Sequence, residues 1–76
     1  MSKYHANLEY IKKAIEIAGG IQQLSVKADV SYQSILEWKS GRKTPTPTNC
    51  QKIEKGTNGE VKAEEILPDY PWEKVK

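Results

Sequence analysis

The stretch that most constrains the fold is Ile21 to Gly41, IQQLSVKADVSYQSILEWKSG. Apolar residues fall at Ile21, Leu24, Val26 and Ala28, and again at Val30, Ile35 and Trp38. The first set suits a helix over Ile21–Ala28, too short to be stable unless it packs against something. Asp29 sits where that helix must stop and the chain must swing. This position favours positive φ, and Asp is among the few residues besides Gly that visit that region. Ser31 is placed to cap a second helix with its hydroxyl. Ile35 and Trp38, three apart, share one face, while Tyr32, Gln33 and Leu36 fall largely on others. Gly41 ends the helix where a left-handed residue is required. Two short helices joined by a tight turn form a helix-turn-helix, whose second helix is able to enter the DNA major groove and touch base edges with its N-terminal residues. A plain helical hairpin inside a small bundle has the same spacing.

The flanking residues extend this pattern. Asn7 is a good cap for a first helix over Leu8–Ala18, with Leu8, Ile11, Ile15 and Ala18 as its inner stripe, and Glu9 is spaced to pair with Lys13. Gly19 and Gly20 end that helix. Lys12 and Lys13 read as a solvated face. Residues 1–6 read as a loose arm, from which Lys3 and His5 have access to a DNA backbone; His5 itself is expected to be solvated. After Gly41, the run Arg42-Lys43-Thr44-Pro45-Thr46-Pro47-Thr48 is stiff and extended, and its cations and hydroxyls suit phosphate oxygens beside the groove. Thr46 caps a further helix with Pro47 at its first position, and Cys50 and Ile53 face inward. Cys50 reads as a small core residue. Gly56 weakens the helix end, and Thr57-Asn58-Gly59 is a turn. Val61 dips into the core, Lys62–Leu67 forms one more short helix with Ile66 inward, and Pro68 closes it. In the tail, Tyr70 is expected to fold back on the core. Trp72 is left open between the core and an exposed patch for a second subunit. The domain expectation is one unit over residues 1–76: an arm at 1–6, a helical core at 8–67, and a Pro/aromatic tail at 68–76 whose last four residues are mobile.

Composition limits what such a unit does. Seventy-six residues make one domain with one small core. The single Cys forms no internal disulfide, and one Cys with one His builds no Cys/His metal site. With no recognisable nucleophile–base arrangement, an enzyme is not expected, nor is any cofactor. No apolar run approaches the about 18 residues of a membrane span, and no signal peptide precedes the first helix, so the expected location is the cytoplasm. Net charge is only +2, but residues 1–55 carry nine Lys/Arg against five Asp/Glu, and residues 56–76 carry three against five. The basic part contains the helix-turn-helix, which suits one face meeting phosphate.

Four stretches, in order, carry a family resemblance: Ala14-Ile15-Glu16-Ile17-Ala18-Gly19-Gly20; the helix-turn-helix ending at Trp38; Pro45-Thr46-Pro47-Thr48-Asn49-Cys50 leading to Ile53-Glu54; and Thr57-Asn58-Gly59-Glu60-Val61 leading to Leu67-Pro68-Asp69. Over about residues 8–72 the chain resembles the small Cro-type regulators of temperate phages and prophages in the YdaS-like antitoxin group. The resemblance implies an all-α, compact five-helix lambda-repressor-like DNA-binding domain. It also implies a bacterial repressor that binds operator DNA near its own gene, as a dimer. By position, Gln22 opens the second helix, where such proteins contact phosphate. Ser31, Tyr32 and Gln33 open the recognition helix, Tyr32–Lys39, where bases are read, and Leu36 and Glu37 lie one turn on. The departures are Asp29 in place of the usual glycine, Ser25 in place of a smaller residue, Lys62 in place of Ser or Thr, and Leu67 where a basic residue is frequent. The first three bear on local stability; the last weakens the case for a tail–phosphate contact.

The expected mechanism is operator occupation. Gln33 is the best base reader, because a Gln amide bonds adenine N6 and N7 together. Tyr32 suits a phosphate or a thymine methyl, Leu36 suits a thymine methyl, and Lys39, Arg42 and Lys43 hold the backbone. One monomer offers few base contacts, so a homodimer, at least on double-stranded DNA, is expected. The rival expectation is an antitoxin whose main act is to bind a toxin protein, which an exposed Tyr70/Trp72 tail would favour.

Overall fold

The computed structural model describes residues 4–72 and is all-helical there. Five helices follow one another: α1 (Leu8–Ala18), α2 (Ile21–Ala28), α3 (Tyr32–Ser40), α4 (Pro47–Gly56) and α5 (Ala63–Ile66). Local chemistry sets most of their ends. Asn7 Oδ1 accepts from Glu9 N–H at 3.1 Å, and Thr46 Oγ1 accepts from Asn49 N–H at 3.2 Å, with Pro47 in the first turn. The short α5 starts with Lys62 N–H donating to the Glu65 carboxylate at 2.9 Å, so Lys62 and Leu67 flank that helix instead of belonging to it. Gly41 closes α3 at φ 82°, in the left-handed region where glycine is favoured.

The element that positions the others is α2, which packs against α1, α3 and α4; α5 closes the far side against α1 and α4. Ile11, Ala14, Leu24, Ile35, Cys50, Ile53, Val61 and Ile66 are fully buried, joined by Trp38, Leu67 and Trp72. On α1 the fully buried positions are Ile11 and Ala14, while Leu8 and Ile15 of the expected stripe are half-buried at its edge. Burial pushes the Cys50 thiol up to about 12, as an inert core residue requires.

The structure decides or corrects several further points. Val26, counted among the apolar positions of α2, is 74% exposed. Trp72 is buried, and its indole N–H donates to Leu67 C=O at 2.7 Å. Tyr70 folds back as expected: it packs against the core and stacks edge-on with Trp72 at 4.9 Å and with Tyr4 at 5.3 Å. Tyr70 and Trp72 therefore form no exposed aromatic patch. Tyr4 and Ala6, within the expected arm, pack against the core; residues 1–3 and 73–76 lie outside the described residues. The Lys13 ammonium lies 5.8 Å from the Tyr10 ring centroid, where a pairing with Glu9 was expected. Gly56 does more than end α4. A Cβ there would lie 3.0 Å from the backbone of Ala28, so its absence lets α4 approach α2.

Candidate nucleic-acid interface

The turn between α2 and α3 is held by short-range bonds. Asp29 adopts φ 57° and ψ 49°, the left-handed conformation expected of it. Ser25 Oγ–H donates to Val30 C=O at 2.6 Å, and Val30 N–H returns a bond to Ser25 C=O at 3.1 Å. Lys52 Nζ reaches Asp29 C=O at 3.5 Å. The two departures at Ser25 and Asp29 thus sit in one braced turn. Ser31 Oγ accepts from Ser34 N–H at 3.0 Å and donates to Ser34 Oγ at 2.7 Å, capping α3.

With Ile35 and Trp38 buried, α3 turns its other residues outward. Residues 33, 36, 37 and 40 recur at helical spacing on one face. Gln33, Leu36, Glu37 and Ser40, together with Arg42 from the following loop, line one surface concavity of about 280 Å³. The structure therefore brings together four of the expected site residues and adds Ser40. That serine precedes the capping glycine and reads in sequence as a helix end; its spacing from Gln33 and Leu36 was the available signal. Tyr32, 49% exposed, and the exposed Lys39 are seven apart and share a flank of α3. Gln22 is exposed at the start of α2, four residues before the exposed Val26.

Electrostatics divides the cations. Lys39 and Arg42 are exposed. Lys43 is exposed too, but its ammonium lies 3.6 Å from Glu37 Oε2. Lys27, also in the basic part of the chain, reaches Ala18 C=O at 3.3 Å, where a cation offsets the negative end of α1. Some of the charge excess is thus spent within the fold. The exposed His5 lines a shallow notch with Gly41, Lys43 and Thr44, next to the end of α3.

Among the described residues, no group of three or more His, Cys, Asp or Glu is placed to hold a metal ion, and no helix is long and apolar enough to cross a membrane.

The family described as "Bacterial toxin YdaS" matches residues 11–75. The chain is 34% identical over 61 residues to an Escherichia coli K12 protein called "Putative transcriptional regulator YdaS"; the match covers 80% of this chain and 62% of that protein. The chain therefore spans less than two thirds of the length of the curated relative it matches. No solved structure gives a significant match.

Proposed function

The chain belongs to the YdaS family, and from that premise we propose that it is a sequence-specific DNA-binding transcriptional regulator, a Cro-like repressor that occupies its operator through α3. One observation carries the reading: α3 buries Ile35 and Trp38 while Gln33, Leu36, Ser40 and Arg42 gather on an open concavity. Such a face presents an amide, an apolar methyl-bearing side chain and a hydroxyl, the groups that read base edges, beside cations that hold phosphate. In this reading Gln33 bonds an adenine, Leu36 packs on a thymine methyl, and Tyr32 lies at the flank. Gln22, Lys39 and Arg42 fix the backbone, and Ser31 orders the first turn of α3 that meets the groove. The name of the relative, a transcriptional regulator, favours this assignment. The unit that binds is the single domain built from α1–α5, acting in the bacterial cytoplasm as a dimer on DNA.

Fluorescence anisotropy with DNA from upstream of the chain's own gene, beside a scrambled duplex at two salt concentrations, tests it. Tight binding to the upstream duplex alone, steeply weakened by salt, is the expected result. Equal, weak binding to both duplexes overturns it.

The family description favours a second reading, in which the chain belongs to a toxin–antitoxin pair and meets a partner protein. Trp72 is buried, so the exposed Tyr70/Trp72 patch that would have supported it is not formed. Co-purification of the chain with the product of a neighbouring gene, persisting in a variant unable to bind DNA, is the outcome that would place this antitoxin reading first.

A further inference from the structure

The concavity on α3 contains a carboxylate, and the chain folds so as to keep a cation on it. Gly41 turns the backbone so that Arg42 N–H and Lys43 N–H both donate to Glu37 C=O, at 3.0 and 3.3 Å. Ser40 Oγ–H donates to the same carbonyl at 3.1 Å. The main chain therefore sets Lys43 beside Glu37, and the two side chains meet at 3.6 Å. Lys43 keeps 68% of its side chain exposed while Glu37 keeps 23%. The cation is free to leave; the carboxylate is more fixed.

Under the DNA-binding reading this pair works against binding to arbitrary DNA. An ionised carboxylate only accepts hydrogen bonds, it repels phosphate, and it detains a lysine that would otherwise neutralise one. In the major groove the amino donors are cytosine N4 and adenine N6. Adenine's amino group lies between two acceptors, its own N7 and the thymine O4. Cytosine's is flanked by one, the guanine O6. Cytosine therefore offers the carboxylate the less repulsive edge.

We propose that Glu37 and Lys43 form a selectivity gate. Glu37 holds Lys43 until a cytosine amino group in the half-site takes over the carboxylate, and the released Lys43 then binds a phosphate. Discrimination thus comes from a penalty on wrong sequences as well as from contacts to the right one. This rests on the proposed DNA binding, and it assigns Glu37 a specificity role and Lys43 a conditional one.

The test uses the whole chain as wild type, Glu37→Gln and Lys43→Ala. Each is put through selection from a randomised duplex pool and then anisotropy over a salt series, with circular dichroism melts confirming that the variants fold. In wild type, one position per half-site selects cytosine, and another base there weakens binding by about 5- to 150-fold. The plot of log affinity against log salt is steeper for the selected duplex than for a scrambled one by about one per subunit, the signature of one added phosphate contact. Glu37→Gln loses the cytosine preference, binds the scrambled duplex more tightly, and brings the two slopes together. Lys43→Ala flattens only the slope for the selected duplex. A cytosine preference that survives in Glu37→Gln, or a Lys43→Ala that flattens both slopes equally, overturns the gate and leaves the DNA reading standing. A wild type that selects no sequence overturns both.

Discussion

Trp38 shows how one side chain serves both core and interface. It is 4% exposed and lies on the side of α3 opposite the concavity, so it sets the depth of α3 on the body without touching the proposed ligand. Trp38→Ala should cost about 3–5 kcal/mol, a large part of a small domain's stability. A urea titration should show the midpoint collapse or the fold lost altogether. Gln33→Ala, at an exposed position, should instead leave the melt unchanged and relax preference at one base position, by ~1–3 kcal/mol of discrimination. Arg42→Ala should weaken binding to all duplexes and lower the salt slope by about one. If Arg42→Ala changed base preference and Gln33→Ala did not, these two roles would be assigned the wrong way round. Cys50 adds a pH dependence. Its thiol is raised from 9.0 to about 12 by burial. Below pH 9 it is protonated in both folded and unfolded chains and contributes no slope. Above pH 9 only the unfolded chain ionises it, so stability falls as pH rises, by about 1.4 kcal/mol per pH unit up to about 12. Chemical denaturation from pH 8 to 11 should show this fall, and Cys50→Ala should be flatter by that amount.

The helices were legible where their ends are set by neighbours in sequence. Asn7, Asp29, Ser31, Gly41, Thr46 and Pro47 act through residues two to five away, so the caps of α1, α3 and α4 and the left-handed turn after α2 followed from residue types. Legibility ends where a residue's role depends on a distant element. Val26 counts among the apolar residues of α2 in sequence, but α1, α3 and α4 cover the other sides of that helix, and Val26 is left outside. Thr57 looks like a turn residue. It is one, but it is also 1% exposed: its Oγ1 donates to Ile53 C=O at 3.1 Å and accepts from Val61 N–H at 3.2 Å, tying α4 to the segment before α5. Within the candidate site, Gln33 and Leu36 were legible from helical spacing, and Glu37 from what the family resemblance implies. The Glu37–Lys43 pairing was not, because it depends on how Gly41 folds the loop back. Gly56 makes the same point with an opposite sign for its prediction. Helix propensity alone says that Gly56→Ala gains up to about 1 kcal/mol. But the added Cβ would sit 3.0 Å from the Ala28 N and Cα, and α2 is too central to move aside. Overpacking of this kind costs ~1–3 kcal/mol, so the net effect should be a lower midpoint in thermal unfolding. An unchanged or raised midpoint would mean that α2 and α4 separate easily.

At the scale of the molecule, size decides how two copies would read one operator. The described chain measures 30 × 25 × 19 Å. Successive major-groove faces on one side of B-DNA recur every ~34–36 Å. Two copies therefore fit side by side, one helical turn apart, without overlap and with only a narrow gap across their longest dimension. In the proposed reading a single copy would bring Gln33, Leu36 and Glu37 to the groove, too few contacts to single out one site among the ~10⁶–10⁹ competing sites of a genome. On the dimer proposal, a second half-site would supply the rest. Operator affinity should thus depend on spacing as a periodic function. Five extra base pairs between the half-sites put the second copy on the opposite face of the duplex, and affinity should fall to that of a single half-site. Ten extra pairs restore the face but open a gap that a molecule 30 Å long does not bridge, so only part of the affinity should return. Anisotropy titrations on three duplexes, native, plus five and plus ten, would measure this. Affinity that ignores the insertion would mean that each copy binds alone, and that specificity must come entirely from the contacts of one α3.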